Sequence, residues 1–247
     1  MRRSKQILNI VAASGLLLCV GSVPVPAQGD ERLFQVPAGC TAYLTVQSRG
    51  CTVSHHWTCE ADPEGTHWRV AVDEDGPFYL SFSDEEFRWL RSWGLRSNIR
   101  SQILEPEDDP ASLTELFETG SDSMVFSLDF IGPEGSARRN YTGFDRLTGG
   151  EITVDGRTLL VTEFSFEYET PEGPRRTEGN QFVHQDWRLF FGGVETTTLP
   201  NGETIEENNS PMEFAEPGEA GFLTLQPNYD CGAMMSSIEA PLWRASQ

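Results

Sequence analysis

Hydrophobic and polar residues alternate along most of the chain. Apolar side chains occupy every second position over residues 124–130, and the same period recurs over residues 164–168 and 68–72. Successive side chains of a β-strand point to opposite sides, so this alternation predicts half-buried strands.

Turn sequences separate these strand-like runs. Pro-Glu-Gly occurs at 63–65, 133–135 and 171–173, and Asp-Gly at 155–156 and Asn-Gly at 201–202 add two tight-turn signals. Proline and glycine supply the backbone angles that such turns need, so each sequence favours a hairpin. Consecutive hairpins predict a mainly β fold: a single antiparallel sheet that is strongly curved or closed into a barrel-like domain.

Three stretches depart from the strand pattern. Residues 83–86 read Ser-Asp-Glu-Glu, a helix-capping sequence, and the apolar residues that follow at helical spacing predict a short helix over residues 84–93. A second short helix is predicted over residues 110–119, where Gly120 can end it. The polar stretch 206–220 is rich in Pro, Glu and Asn, which predicts a long surface loop.

The N-terminus has the pattern of a cleavable signal peptide. Basic residues within 2–5 precede an apolar run, and Val-Pro-Ala at 25–27 places small residues before the cleavage point. We therefore predict a signal peptide over 1–27 and a single β-rich domain over 28–247, in the periplasm of a bacterium or outside the cell. The alternative is a membrane anchor, but the apolar run is short and interrupted, whereas a spanning helix needs about 20 apolar residues.

The charge of the chain limits its partners. The full chain has 18 basic and 38 acidic residues, and removal of Arg2, Arg3 and Lys5 leaves 15 basic residues and a net charge of −23. Such a charge repels nucleic acid and anionic membrane surfaces, so we expect no nucleic-acid partner and no stable membrane insertion after cleavage. Because Lys5 is the only lysine, the cleaved protein cannot use lysine for catalysis.

Four cysteines remain after cleavage: Cys40, Cys51, Cys59 and Cys231. An even number in an exported chain predicts two disulfides. If Arg49-Gly50 forms a two-residue turn between two strands, Cys40 faces Cys59 across the hairpin. We therefore predict a Cys40–Cys59 bridge and a Cys51–Cys231 bridge; a longer turn would shift the register and change the pairing.

Histidines near the first hairpin suggest a metal site. If residues 63–65 close a hairpin, His56 and His67 lie on one face of neighbouring strands, and Glu60 could be a third ligand. A closed structural zinc site needs four ligands. The sequence therefore favours the alternative, ordinary strand histidines beside a buried Trp57, and we expect no cofactor.

Catalytic signatures are sparse. The chain has no Gly-x-Ser-x-Gly sequence, and its cysteines are assigned to disulfides. His184 and Asp186 would share one face of a strand, as part of a triad or as a polar surface. Carboxylates are so abundant that an apparent acid pair carries little information.

The remaining signal is the aromatic content. A curved sheet with large aromatic side chains can enclose an apolar or amphipathic ligand, or the rings can simply fill the core. We assign candidate ligand contacts to the tryptophans of the domain: Trp57, Trp68, Trp89, Trp93 and Trp187. The sequence thus favours an exported non-catalytic protein that binds such a ligand or an envelope protein. The alternatives are a secreted hydrolase, using carboxylates or His184, and a structural or interaction protein without a small-molecule site.

Overall fold

The computed structural model describes residues 33–232, which form thirteen strands in one sheet and one helix. The mainly β prediction is therefore confirmed. The elements are β1 (Cys40–Ser48), β2 (Thr52–Cys59), β3 (His67–Asp73), β4 (Gly76–Ser83), β5 (Trp89–Gly94), β6 (Ile99–Ile103), α1 (Leu113–Thr119), β7 (Ser121–Gly132), β8 (Gly135–Val154), β9 (Arg157–Thr170), β10 (Gly173–His184), β11 (Leu189–Thr198), β12 (Thr204–Asn208) and β13 (Pro211–Ala215). The predicted signal peptide lies outside the described residues, and no helix within them is long and apolar enough to cross a membrane.

The strands follow one another across the sheet in chain order, apart from the last. The order runs from β12 at one edge down to β1, and β13 pairs with β1 to form the other edge. All pairings between these strands are antiparallel. The sheet curls until β13 approaches β8 and β11. It is therefore strongly curved but not closed, because β12 and β13 are not paired with each other.

Curling buries both faces of β9–β11. Phe182 belongs to a core cluster with Leu44 of β1 and Phe214 of β13. Its neighbour Val183 points the other way and packs with Leu113 of α1. The edge of the sheet that contains β1 and β13 therefore covers one side of these strands, and α1 covers the other.

In the first hairpin, a β-bulge compensates for a turn that is longer than predicted. Ser48 pairs with Thr52 around a three-residue turn, one residue longer than the sequence analysis assumed, and a bulge between Ala42 and Leu44 shifts the register back. Cys40 therefore still faces Cys59, and the two form a disulfide.

The second disulfide fixes the C-terminal segment, residues 216–232, against β1 and β2. Cys51 joins Cys231 across a sequence separation of 180 residues. Next to it, the Gln47 side chain donates to the carbonyl of Gln226 at 2.9 Å and accepts from the N–H of Asn228 at 3.0 Å. A strand side chain thus provides hydrogen bonds to a segment whose own β-pairing is a single bridge, between Thr224 and Leu33.

Two sequence predictions are wrong in detail. The stretch predicted as a helix over 84–93 forms a turn followed by β5. Asp84 Oδ1 accepts from the N–H groups of Glu86 and Arg88, and Phe87 has a φ of 65°, which no α-helix tolerates. Residues 91–94 gain strand partners on both sides, from β4 and β6.

The predicted helix over 110–119 exists in shortened form as α1. Ser112 is its N-cap and accepts from the N–H of Glu115, while Gly120 ends it in the left-handed conformation. The predicted surface loop over 206–220 is also wrong, because it contains most of β12 and all of β13. The polar residues there belong to edge strands, where charged side chains are common.

Removing the two disulfides separately should have unequal costs. In the chain-entropy description, a bridge closing a longer loop stabilises more, so the Cys51→Ala/Cys231→Ala variant should lose about 2 kcal/mol more unfolding free energy than Cys40→Ala/Cys59→Ala. The sequence separations are 180 and 19 residues. Urea unfolding followed by circular dichroism measures both. Equal costs would show that the long loop is already restrained in the unfolded chain.

Candidate functional site

A pocket opens where α1 and the turn before β5 meet the concave side of the sheet. We call it the aromatic pocket. The space between its walls is about 710 Å³ including its opening, and about 70 Å³ admits the centres of water-sized molecules. One buried water needs roughly 10–15 Å³ by that measure, so the space exceeds a single solvent site. Its apolar walls are formed by Phe87, Trp89, Ile103, Leu113, Leu116, Met124, Phe126, Phe164, Phe166 and Phe190.

Glu86 holds α1 over the sheet. Its carboxylate accepts from the N–H of Thr114 at 2.8 Å and from the hydroxyl of Ser112 at 3.0 Å, both in the first turn of the helix. Arg188, in the turn just before β11, donates to the other oxygen at 2.8 Å. Burial opposes ionisation of Glu86, but these hydrogen bonds outweigh it and lower its pKa. The residue predicted to cap its own helix thus caps α1 instead.

Arg88 anchors one side of the opening. Its guanidinium contacts Asp84 at 2.6 Å and Glu107 at 2.8 Å. The Glu107 side chain is almost fully buried, and that burial raises its pKa in spite of the ion pair with Arg88. With Glu105 at 3.3 Å as a third partner, the arginine that lines the pocket is already neutralised by acids of the chain.

Two aspartates face each other inside the pocket. Asp122 of β7 and Asp145 of β8 are register partners, which places their Cβ atoms about 5 Å apart on the same face of the sheet. Burial raises the pKa of Asp122 to about 6, against a hydrogen bond from the N–H of Ser112. Burial and the charge of Asp122 raise the pKa of Asp145 to about 7. The pair can hold a proton, accept hydrogen bonds or bind a cation near neutral pH.

The structure does not gather the five predicted tryptophans into one site. Trp89 lines the aromatic pocket, edge-on to Phe126 and Phe166 at 6.2 Å. The other four lie elsewhere in the fold. Trp57 and Trp93 stack on either side of Trp68, at 6.3 and 5.5 Å.

That stack lies on the opposite face of the sheet from the pocket. Trp68 pairs with Phe82, and Phe82 pairs with Arg91, so these three side chains share one face of the sheet. Leu90, next to Arg91, packs with residues on the pocket side and so marks the opposite face. Trp187 stacks on His184 beside the core formed by β1 and β13.

The predicted metal ligands do not come together as a set of three, although His56 and His67 lie on one face of the neighbouring strands β2 and β3. His56 and His67 are buried, and burial is the main cause that lowers the pKa of both. Glu60 is exposed beyond the end of β2. Within residues 33–232, the group of possible ligands with donor atoms within 4.8 Å of one another is Cys51, Glu74 and Cys231, whose two sulfurs form a disulfide. His56, His67 and Glu60 form no such group there.

His184 has no catalytic surroundings in the described part of the chain. Its Nδ1 accepts from the N–H of Trp187 at 3.3 Å, and its ring lies 4.0 Å from that of Trp187. Burial is the main cause that lowers its pKa, although the charge of Asp186 acts in the opposite direction. No carboxylate or hydroxyl among these residues is hydrogen-bonded to it.

The aspartate pair is not among the residues predicted from the sequence, although the pattern contains a signal for one of its members. Asp122 continues the alternation of Met124 and Phe126, so an acid falls on the face that the pattern assigns to the core. Asp145 could not be found this way, because β8 is mostly polar on both faces. Its position follows only from the register with β7.

Comparisons with known proteins give little guidance. No protein family and no curated protein matches this sequence. A solved structure with detectable similarity is the crystal structure of the hypothetical lipoprotein YmcC from Escherichia coli K12. The sequences are 10% identical, the alignment covers 74% of this chain and 91% of YmcC, and the TM-score is 0.40. A similarity at this level transfers no function.

Asp145→Asn should stabilise the protein in a pH-dependent way. A carboxyl whose pKa rises from 3.8 to about 7 on folding is neutral in both states below about pH 4, and it increasingly destabilises the folded state as the pH rises from about 4 to about 7, because the unfolded chain ionises more readily. The variant should therefore match the wild type near pH 4 and exceed its unfolding free energy by about 2 kcal/mol near pH 8, after allowance for partial exposure.

Chemical unfolding across that pH range measures the difference. Glu163→Gln is the control, because Glu163 is exposed and paired with Arg146 on the surface, and it should change stability by less than about 0.5 kcal/mol. A difference that does not grow with pH would contradict the burial of the Asp145 charge.

Proposed function

We propose that the protein is an exported, non-catalytic β protein that binds an apolar or amphipathic small molecule in the aromatic pocket. The observation that carries the proposal is the pocket itself, a concave space walled by aromatic and aliphatic side chains with a few converging polar groups. Ligand sites are usually concave, mostly apolar and largely preformed. Core packing alone leaves few voids larger than a water molecule.

Trp89 supports the proposal from the rim. Its side chain is 41% exposed, although it also contacts the rings of Phe126 and Phe166 inside the pocket. A large aromatic residue that is left partly in water at the mouth of a cavity can bury more surface once a ligand enters. Burial of apolar area contributes about 25 cal/mol per Å².

Export is supported by the chain's chemistry. Two disulfides, one of them linking distant parts of the chain, are typical of proteins that fold in an oxidising compartment. The signal-peptide pattern at the N-terminus agrees with this. The envelope or the outside of the cell is therefore the proposed location.

A second candidate is a hydrolase that uses the aspartate pair. The observation in its favour is that Asp122 and Asp145, in register inside a pocket, have raised pKa values, which can supply a general acid and a general base. Hydrolysis of nitrophenyl glycosides or esters that is abolished by Asp122→Asn would support it. We rank it second because no activated nucleophile accompanies the pair within the described residues.

Binding of the uncharged fluorophore N-phenylnaphthylamine tests the first proposal. The full chain, exported and purified with its disulfides formed, should enhance the fluorescence of this probe in a saturable way. Trp89→Ala should weaken the binding about tenfold, because an aromatic wall of the site is lost. Leu95→Ala is the matched control, since Leu95 is 42% exposed and lies outside the pocket.

A filling variant tests the same pocket without removing a wall. Ala111 lines the opening, and Ala111→Phe should reduce probe binding by occupying the space. Saturable binding that is unchanged in both Trp89→Ala and Ala111→Phe would place the ligand site elsewhere. No saturable binding by the wild type would contradict the proposed function.

A further inference from the structure

We infer that the ligand of the aromatic pocket carries a protonated amine, which Asp122 and Asp145 hold while the aromatic walls enclose its apolar part. The inference rests on the proposed function, because it names the chemical class that the same pocket selects.

Asp122 presents an unused acceptor. The residue is only 4% exposed and lines the pocket. Its Oδ2 accepts from the N–H of Ser112 at 2.9 Å, whereas its Oδ1 is buried without a hydrogen-bond partner in the described structure. Leaving a buried polar atom unpaired is costly, and functional sites are where such atoms persist. A donor entering the pocket would remove that cost.

Asp145 supplies the second acceptor. It faces Asp122 directly across β7 and β8, and its carboxylate forms no hydrogen bond or ion pair within residues 33–232. Two acids held side by side repel one another unless a proton or a cation lies between them. An ammonium group offers both a charge and several N–H donors in one small unit.

The arginine that lines the pocket and the two that flank it in the structure are already paired with other acids. Arg88 is paired with Asp84 and Glu107, and Arg188 with Glu86. Arg146, next to Asp145 in the chain, reaches Glu163 on the neighbouring strand instead. The pocket therefore has an excess of negative charge that its own side chains do not balance.

The walls favour an organic cation over a metal ion. Calcium and magnesium prefer six or more oxygen ligands. Of the four acids that line the pocket, Glu86 and Glu107 are already paired with arginines, which leaves Asp122 and Asp145. Phe126, Phe164 and Phe166 line the same space. Aromatic faces attract ammonium groups through cation–π interactions, which strengthen when the cation is removed from water. An alkyl or aryl amine matches both parts of the pocket.

Three ligands with the same octyl chain separate charge from apolar burial. Octylamine, octan-1-ol and octanoate are titrated against the full chain at about pH 8 by displacement of N-phenylnaphthylamine. Each is kept below its solubility limit or micelle concentration. We expect octylamine to bind at least about tenfold more tightly than octan-1-ol, because charge-assisted hydrogen bonds exceed neutral ones. Octanoate should bind most weakly of the three.

Two variants assign the preference to the pair. Asp145→Asn should reduce the octylamine preference about tenfold and leave octan-1-ol binding unchanged. Glu195→Gln is the matched control. Burial and the charge of Glu207, its register partner, raise the pKa of Glu195 to about 7, yet it lies outside the pocket. It should leave all three affinities unaltered.

Lowering the pH should weaken octylamine alone. Protonation of the pair towards about pH 5 removes its charge. The negative charges of Glu86, Asp109 and Glu115 act on Asp122 and favour its protonation. The affinity for octan-1-ol should stay constant over the same range.

The outcomes distinguish this inference from the proposed function. Equal binding of octylamine and octan-1-ol, or a preference that survives Asp145→Asn, would overturn the amine assignment and leave the apolar pocket in place. Failure of the fluorophore and all three octyl compounds to bind would overturn the proposed function itself.

Discussion

The sheet can bury its apolar surface only by folding back on itself. Thirteen strands in one antiparallel layer expose far more hydrophobic area than a single short helix can cover. The twist of adjacent strands supplies the curl, and the pairing of β13 with β1 brings Phe214 to the same side as Leu44. That edge then closes against β9–β11. The other side of β9–β11 is left to α1, and the pocket forms at this second contact.

The pocket follows from a mismatch of sizes. Seven helical residues span about 10 Å, whereas each strand of the concave wall adds about 4.8 Å to its width. Leu113 and Leu116 of α1 fill part of the concavity, and the remainder is bounded by the turn before β5. Glu86 determines how far α1 reaches over the concavity, because its carboxylate connects that turn to the helix N-terminus and to Arg188.

Local sequence patterns predicted those features that depend on residues close together in the chain. Alternation located the strands, and the pairing of Cys40 with Cys59 followed from the hairpin register, even though the turn is longer and the bulge after Ala42 compensates for it. The prediction of a helix over 84–93 was wrong because the apolar spacing of this stretch is compatible with a helix as well as with a strand. Only the pairing with β4 and β6 makes it a strand.

The candidate site was largely beyond sequence reasoning for the same reason. Trp89 was identified by its size, but Asp145 becomes a candidate site residue only because Asp122 lies opposite it on the neighbouring strand. The raised pKa of Asp145, its burial and its pairing with Asp122 all depend on a register between residues more than twenty positions apart. Composition could not distinguish it from the many surface acids of this chain.

The long disulfide also constrains the order of events during synthesis. Cys51 leaves the ribosome 180 residues before Cys231, so its thiol is present throughout most of translation with its final partner still missing. Cys40 and Cys59, separated by only 19 residues, meet at one end of a single hairpin and can pair early. Once they are joined, Cys51 has no wrong partner left among the cysteines after position 27. The short bridge thus leaves Cys231 as the partner for Cys51, and a segment made late in synthesis becomes the one that fixes the first hairpin.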